Sequence, residues 1–322
     1  MLPPFLSPAS TPIKHDNSLV SNAVFHHKPP LGPVHAHWWA PKDTNSPPKT
    51  VVLFIPGNPG LIEFYTPFLD ALHHNGGANL GILAHGHIDH APSVGGSVSA
   101  EHSLTSQVQN AVEAFDAIAS TYGNGTKVVL IGHSVGSWIC LQIVKQREIQ
   151  VSGAFLLFPT VSHIATTPNG KILSCLFNPI PRWIISHLGY LGRMIPTSIL
   201  GCIFSSWPTN QVAVLQDLVG SPRAIEAALR MAHDEMETIK DLDLALLESS
   251  RDKLRFYYAL RDDWVGGERE RLLANLHPSN VSVKVVHDEH GIPHAFCINH
   301  GDVLAKQCLQ WLKEFEGRTL NN

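Results

Sequence analysis

The residues best placed to do chemistry are Gly132-His133-Ser134-Val135-Gly136, a G-x-S-x-G pattern. The motif follows the apolar run Val128–Ile131 and opens a helical stretch from Val135 to Val144, which is the strand–turn–helix setting it requires. At such an elbow the serine hydroxyl stands above the end of a sheet on a strained backbone. Glycines flank it because neighbouring chains come too close for side chains. A plain strand–helix turn would carry the same five letters, but the flanking elements favour a nucleophile. A serine hydroxyl attacks only when a base takes its proton and a carboxylate holds that base. In this chain order the acid follows a late strand and the histidine follows the last one. Asp262 and Asp263 both lie just past the apolar run Leu254–Ala259, so either could serve. Four histidines follow the last strand: His287, His290, His294 and His300. His294 is favoured because Pro293 stiffens its approach and Ala295-Phe296 are expected to begin the final helix; His290 is the runner-up. Stabilising the developing oxyanion needs two backbone N–H donors. Val135, after the nucleophile, supplies one. The other must come from Pro56-Gly57-Asn58-Pro59-Gly60, where proline has no N–H, so the donor is Asn58 or Gly57.

A rival pattern is His85-Gly-His87-Ile-Asp89-His90, an H-x-H-x-D-H that in metallohydrolases holds zinc and activates water. Such a site needs a further histidine and a bridging aspartate from other strand ends. The nearest candidate, His133, already sits inside the serine elbow. With 20 histidines in the chain an accidental match is favoured, and no metal or cofactor is expected.

The elements that must carry these residues are legible from apolar runs. Val51–Ile55, Leu80–Ala84, Lys127–Ile131, Ala154–Phe158, Leu254–Ala259 and Val281–Val286 read as strands, and helical stretches such as Leu104–Ile118 and a closing helix at about 301–315 alternate with them. Strands apolar on both faces, alternating with helices, indicate an α/β fold with a mostly parallel sheet covered by helices on both faces. Residues 1–48 read as a loose extension with one or two edge strands. Residues 49–160 plus 250–318 form the core, and 161–249 interrupt it as a helical insertion far longer than an ordinary connection.

Composition narrows the function classes. The chain has 322 residues, 44% of them hydrophobic, and its 24 glycines take the total slightly past half, so a large core is possible and global disorder is excluded. Net charge is 23 − 27 = −4, which offers no basic footprint for nucleic acid. Charged residues make up only 16%, which suggests a surface partly covered by a partner or lipid. Five scattered cysteines without a CxxC pair favour a reducing compartment. The opening MLPPFLSPASTPIKH lacks a basic region ahead of its proline-broken apolar run and reads as no signal peptide.

Beyond the elbow, several stretches resemble the lipid droplet-associated hydrolase family of α/β-hydrolases. They are Ile55-Pro-Gly-Asn-Pro-Gly60, Phe64-Tyr65 with Pro67-Phe68, Leu130-Ile-Gly-His-Ser-Val-Gly136 and Phe155-Leu-Leu-Phe-Pro-Thr160. Pro168-Asn-Gly170, Phe256-Tyr-Tyr258 with Asp262 and Trp264, and Ile292-Pro-His-Ala-Phe296 complete the set. The resemblance spans about residues 50 to 300 and places the family's nucleophile on Ser134, its acid on Asp262 and its base on His294. Asp263 departs from the family, which usually has proline there. The resemblance implies a serine esterase or lipase acting on lipid esters. It also implies the cytosolic face of lipid droplets and endoplasmic reticulum, with a role in neutral lipid or sterol ester turnover. A droplet-surface tethering protein with little activity is the alternative.

The insertion holds three apolar blocks, Ile172–Ile180, Trp183–Leu191 and Ile195–Trp207, split by prolines and by Arg182 and Arg193. They are too short to span a bilayer core of about 30 Å. A buried cap over the pocket is one reading. Short apolar helices with tryptophans suit a monolayer interface, with rings and guanidinium groups at headgroup level. Trp183, Ile184, Ile203 and Phe204 are the expected docking residues.

Overall fold

A computed structural model describes residues 1–10, 20–94, 103–275, 284–288 and 291–318. Its nine strands are β1 (Leu6–Pro8), β2 (Val20–His26), β3 (Pro33–Trp39), β4 (Thr50–Ile55), β5 (Leu80–His85), β6 (Lys127–His133), β7 (Val151–Leu157), β8 (Leu254–Tyr258) and β9 (Lys284–His287). They form one sheet in the order β1-β2-β3-β5-β4-β6-β7-β8-β9. From β5 to β9 all neighbours are parallel, whereas β1, β2 and β3 continue antiparallel beyond β5. Helices α1 (Thr66–Asn75), α2 (Leu104–Tyr122) and α3 (Val135–Arg147) follow β4, β5 and β6, and α10 (Glu268–Asn275) and α11 (Gly301–Arg318) follow β8 and β9. Between β7 and β8 run α4 (Pro168–Leu173), α5 (Pro179–Gly192), α6 (Thr197–Ile203), α7 (Thr209–Val219), α8 (Pro222–Thr238) and α9 (Leu244–Ser249).

The double-sided apolar strands have a direct cause. On β4, Val51, Leu53 and Ile55 pack on the face covered by α2 and α3. Val52 and Phe54 pack on the opposite face, under α1 and α11. The central strands β6 and β7 alternate in the same way, so each residue of the apolar run is buried on one face or the other.

Two expectations need correction. The described strands within residues 1–48 belong to the sheet, not to a loose extension. β3 lies inside the sheet, paired with β2 on one side and β5 on the other, from Ala36↔His85 to Trp39↔Ile82. The run His35-Ala-His-Trp-Trp39 is buried on both faces, with Trp38 in one core and Trp39 in the other. Trp39 also donates its indole N–H to Asp70 at 2.7 Å. The final helix begins at Gly301, as its own spacing predicts, and Ala295-Phe296 do not open it. Phe296 is fully buried among Tyr65, Phe68 and Phe158, and that anchor holds residues 296–299 in a turn instead. Residues 281–283 of the expected last strand lie outside the described residues.

If the N-terminal strands are structural, Trp38→Ala is expected to cost about 3–5 kcal/mol, the usual range for emptying an aromatic core site. Urea unfolding followed by tryptophan fluorescence would report it, and an unchanged midpoint would return this segment to the status of an appendage.

Candidate active site

Parallel strands in register end at the same level, and side chains that follow them gather at one edge. β4 and β6 pair in register to Ile55↔Gly132, so the loop after β4 and the elbow after β6 meet. The fit leaves no room for side chains. A Cβ on Gly136 would stand 2.3 Å from the Ile55 carbonyl oxygen, and one on Gly132 would stand 2.4 Å from that of Gly136. Ser134 itself takes φ 53°, ψ −124°, a conformation that L residues rarely adopt. Its N–H donates to Leu157 at 3.0 Å and its carbonyl accepts from Ser137 N–H at 2.9 Å, which holds the elbow.

Loops after β8 and β9 bring two further groups to Ser134. His294 Nε2 lies 3.0 Å from Ser134 Oγ, and His294 Nδ1 lies 2.7 Å from Asp262 Oδ2. The other oxygen of Asp262 accepts the Trp264 N–H at 2.9 Å, and its side chain is only 4% exposed. Asp263 points elsewhere: its side chain is 48% exposed and faces Arg261 at 3.6 Å. The structure thus brings Asp262, not Asp263, to the imidazole. The loop that carries His294 is fixed by the buried Asp288 carboxylate, which accepts from Tyr257 O–H at 3.1 Å and from Ile292 N–H. His290 lies outside the described residues. Hydroxyl, imidazole and carboxylate in this line can turn the serine oxygen into a nucleophile.

Behind the line runs a second buried chain of bonds that sequence reading missed. His133 Nε2 meets the His294 carbonyl oxygen at 2.9 Å, and His133 Nδ1 meets Tyr65 Oη at 2.7 Å. A carbonyl only accepts, so Nε2 carries the ring proton. Burial, reinforced by the nearby His294, holds His133 well below its usual range and therefore neutral. Nδ1 then accepts the Tyr65 hydroxyl proton, and Tyr65 Oη in turn accepts the Gly57 N–H at 3.1 Å. The Gly57 N–H is committed to this chain, which leaves the Asn58 N–H of the two candidates.

The H-x-H-x-D-H stretch also serves that loop. His87 Nε2 donates to the Pro56 carbonyl at 3.0 Å and His90 Nδ1 to the Pro59 carbonyl at 2.6 Å, bracketing Gly57 and Asn58 from below. Burial pushes these imidazoles down to about 3 and about 4, so both are neutral donors at physiological pH. His85, also buried and neutral, packs against His27. Among the described residues no group of three or more His, Cys, Asp or Glu is arranged to hold a metal ion. The repeated histidines are the signal that a structural role was available.

Above Ser134 lies a cavity of about 430 Å³ lined by Asn58, Ser134 and His294 and by apolar side chains such as Phe177, Ile185, Leu229 and Met236 from the inserted helices. The outer surface of the same helices is unusual. Ile180, Trp183, Ile184, Leu188 and Leu191 form one exposed stripe on α5, while Ser186, Gly189 and Gly192 are its buried face. A Cβ on Gly192 would stand 2.1 Å from the Val219 carbonyl oxygen, so only glycine fits at this position. Eleven of the fifteen exposed large apolar side chains among the described residues fall between Ile172 and Ile203. Ile203 is 67% exposed, but Phe204 is half-buried and leans on Trp207, with ring centres 5.0 Å apart. Arg182 and Arg193, expected at headgroup level, instead bind the protein: Arg182 pairs with Glu226 at 2.9 Å and Arg193 donates to the Gly220 carbonyl at 2.6 Å. No described helix is long and apolar enough to cross a membrane.

The profile of a family described as lipid-droplet associated hydrolase matches residues 48–297. A lipid droplet-associated hydrolase of Rattus norvegicus is 29% identical over 295 residues, covering 83% of this chain and 86% of the relative. The Homo sapiens protein of that name is 30% identical over 294 residues, with 83% and 86% covered. Among solved structures, a peroxisomal alpha-beta-hydrolase of Saccharomyces cerevisiae superimposes with a TM-score of 0.62 at 12% identity. That match covers 92% of this chain and 87% of the yeast protein. The fold is therefore the α/β-hydrolase fold.

Removing the Tyr65 hydroxyl tests the buried chain. Tyr65→Phe leaves the Gly57 N–H and His133 Nδ1 unpaired, and a loss of about 2–6 kcal/mol is expected from about 1–3 per buried group. Urea unfolding of both proteins measures it, and equal stability would mean these groups find other partners.

Proposed function

Because this chain belongs to the lipid-droplet associated hydrolase family, we propose that it is a serine carboxylic-ester hydrolase of the esterase or lipase type. Its substrates are lipid esters, of neutral lipid or sterol. The observation that carries this reading is the continuous line Asp262–His294–Ser134, with bonds of 2.7 and 3.0 Å. In the reaction Ser134 Oγ attacks the ester carbonyl while its proton passes to His294 Nε2. Asp262 holds Nδ1–H and stabilises the imidazolium. The oxyanion is met by the backbone N–H groups of Val135 and Asn58. His294 then gives its proton to the departing alcohol, and water, activated by the same imidazole, releases the acyl group from Ser134. No cofactor enters these steps. The apolar cavity suits an acyl chain or sterol ring, with residues 161–249 acting as a cap over it.

The proposed site of action is the phospholipid monolayer of a lipid droplet and the cytosolic face of the endoplasmic reticulum. Support comes from the family and from the exposed stripe on α5 with Ile203 on α6. An oil core under one leaflet accepts side chains that dip in without crossing, and Trp183 at its rim suits the headgroup layer. Phe204 and Trp207 then stiffen the edge of this surface from within. A tethering protein with the same surface and little catalysis is the competing reading, and chemistry at Ser134 separates the two.

A fluorophosphonate probe is expected to label the wild type once per chain and not to label Ser134→Ala. Asp262→Asn should slow labelling by about 10³-fold or more, on the scale of disrupting a triad's orienting acid, whereas Asp263→Asn should change it little. An unlabelled wild type would favour tethering. For docking, replacing Trp183, Ile184, Leu188 and Ile203 with serine should abolish most co-flotation with phospholipid-coated triolein droplets while leaving the circular dichroism spectrum unchanged. Phe204 is left intact in this variant because it packs on Trp207. A folded variant that still floats would place the anchor elsewhere.

A further inference from the structure

The oxyanion loop is held from below by the core, but its key residue is also held from above. The Asn58 side-chain amide spends both its N–H groups on the inserted helix α8, one on the Ala228 carbonyl and one on Glu235 Oε1, each at 2.9 Å. Glu235 is only 6% exposed and lines the same cavity as Ser134 and His294. The loop it grips lies directly against the nucleophile, since a Cβ on Gly57 would stand 3.0 Å from Ser134 Cβ. A buried carboxyl is a costly way to anchor an amide unless its ionisation state matters.

We propose that Glu235 is a positioning residue for ester hydrolysis: through Asn58 it sets the oxyanion loop, so that the oxyanion site is complete only when α8 is seated. This rests on the serine-hydrolase reading above. Glu235 acts in its neutral form. Burial, with some help from Asp234 and opposed by the Asn58 bond, pushes its carboxyl up to about 8. At neutral pH the acid's carbonyl oxygen accepts the Asn58 N–H without placing charge near the developing oxyanion. Once ionised, Glu235 sets a negative charge against the negative charge that the site must stabilise.

The other titratable groups around α8 are mostly engaged. On α8 itself, Asp234 takes the Leu104 N–H and lies near His233, and Glu226 pairs with Arg182 of α5. His163, beside the turn Ile164–Thr166, faces Asp241. His187 of α5 is bonded to the Trp183 carbonyl, while Asp217 lies on α7 and Cys175, in the Ser174–Phe177 turn, is exposed. On α2, Glu113 pairs with His27 and Asp116 with Arg147. Across the cavity stands His294, bonded to Asp262 behind it, and beneath the loop lie the neutral His87 and His90. His294 accepts the Ser134 proton in the wild type and in every variant below. Loss on the alkaline side is the signature of Glu235.

The test compares wild type, Glu235→Gln and Glu235→Ala for kcat and KM on a soluble nitrophenyl ester from acidic to alkaline pH, with fluorophosphonate labelling alongside. Glu235→Ala, which frees the Asn58 amide, should lose at least about tenfold in kcat at neutral pH with little change in KM, as expected for a group that serves the transition state. Glu235→Gln keeps an accepting oxygen and should recover most of that loss. The wild-type rate should fall above about pH 8, and the Gln variant should show no such fall. Stability gives an independent readout of the ionisation. A carboxyl raised in the folded state stabilises fully below its ordinary value of 4.5 and loses that contribution as pH rises to about 8. The wild-type melting temperature should therefore drop across this window relative to Glu235→Gln. If Glu235→Ala does not fold, the Gln pH profile alone decides. An active wild type whose alkaline limb persists in Glu235→Gln overturns the positioning role and leaves the esterase reading standing. A wild type that neither turns over esters nor labels overturns both.

Discussion

Everything at this site depends on how closely two backbones approach at the carboxyl end of the sheet. The Ile55 and Pro56 carbonyls press against the first turn of α3, at a spacing that only glycine at 136 permits, and Gly57 repeats the demand from the other side. That contact places the oxyanion loop beside Ser134 before any side chain takes part. It also confines the serine to φ 53°, a conformation costing of the order of 1–3 kcal/mol that its bonds to Leu157 and Ser137 must offset. Strain of this kind persists only where the surroundings over-determine it. Here they do, because the strands on both sides are buried in two separate cores.

Neutral imidazoles supply most of that surrounding support. His87, His90 and His133 are all buried, and each presents a ring N–H to a carbonyl oxygen: those of Pro56, Pro59 and His294. A charged side chain in these positions would be costly to bury and would perturb an oxyanion nearby. A neutral ring is rigid, donates in one direction and, in His133, accepts in the other. The loop for the oxyanion, the elbow and the loop carrying the base are thereby tied into one network through Tyr65.

How much of this could be read from the sequence follows from the range of the interactions. The parallel strands and the elbow were legible because each depends on a short run of residues, apolar on both faces or glycines around a serine, and the turn Ile292-Pro-His294 likewise pointed to the histidine that lies against Ser134. The choice between Asp262 and Asp263 was open locally, since both sit in one turn, and geometry separates them by exposure and by the Trp264 N–H. The N-terminal strands were undervalued because His35–Trp39 gives no sign of which strand it will join, and that partner, β5, lies over forty residues away. The H-x-H-x-D-H stretch looked like either a zinc site or an accident. It proves to be a support for a loop thirty residues earlier, a role that no spacing within the motif encodes. Glu235 and Asn58 are further apart still and share no sequence signal at all.

The inserted helices show why composition alone mislabels such a segment. An apolar, nearly uncharged stretch is ordinarily a core or a membrane span, yet α5 is neither. It turns Ser186, Gly189 and Gly192 inward and Trp183, Ile184 and Leu188 outward, the reverse of a water-soluble amphipathic helix. The small inward face lets α5 lie close against α8, and a Cβ on Gly189 would already stand 2.9 Å from Ile225 of α8. α8 in turn carries Ala228 and Glu235, the two acceptors of the Asn58 amide. The proposed lipid-facing surface and the proposed oxyanion site are therefore opposite sides of one pair of closely packed helices. The packed pair α5 and α8 stands between apolar groups that water disfavours and the loop proposed to meet a negative charge. The element against which α5 packs is thus the same one that holds the Asn58 amide.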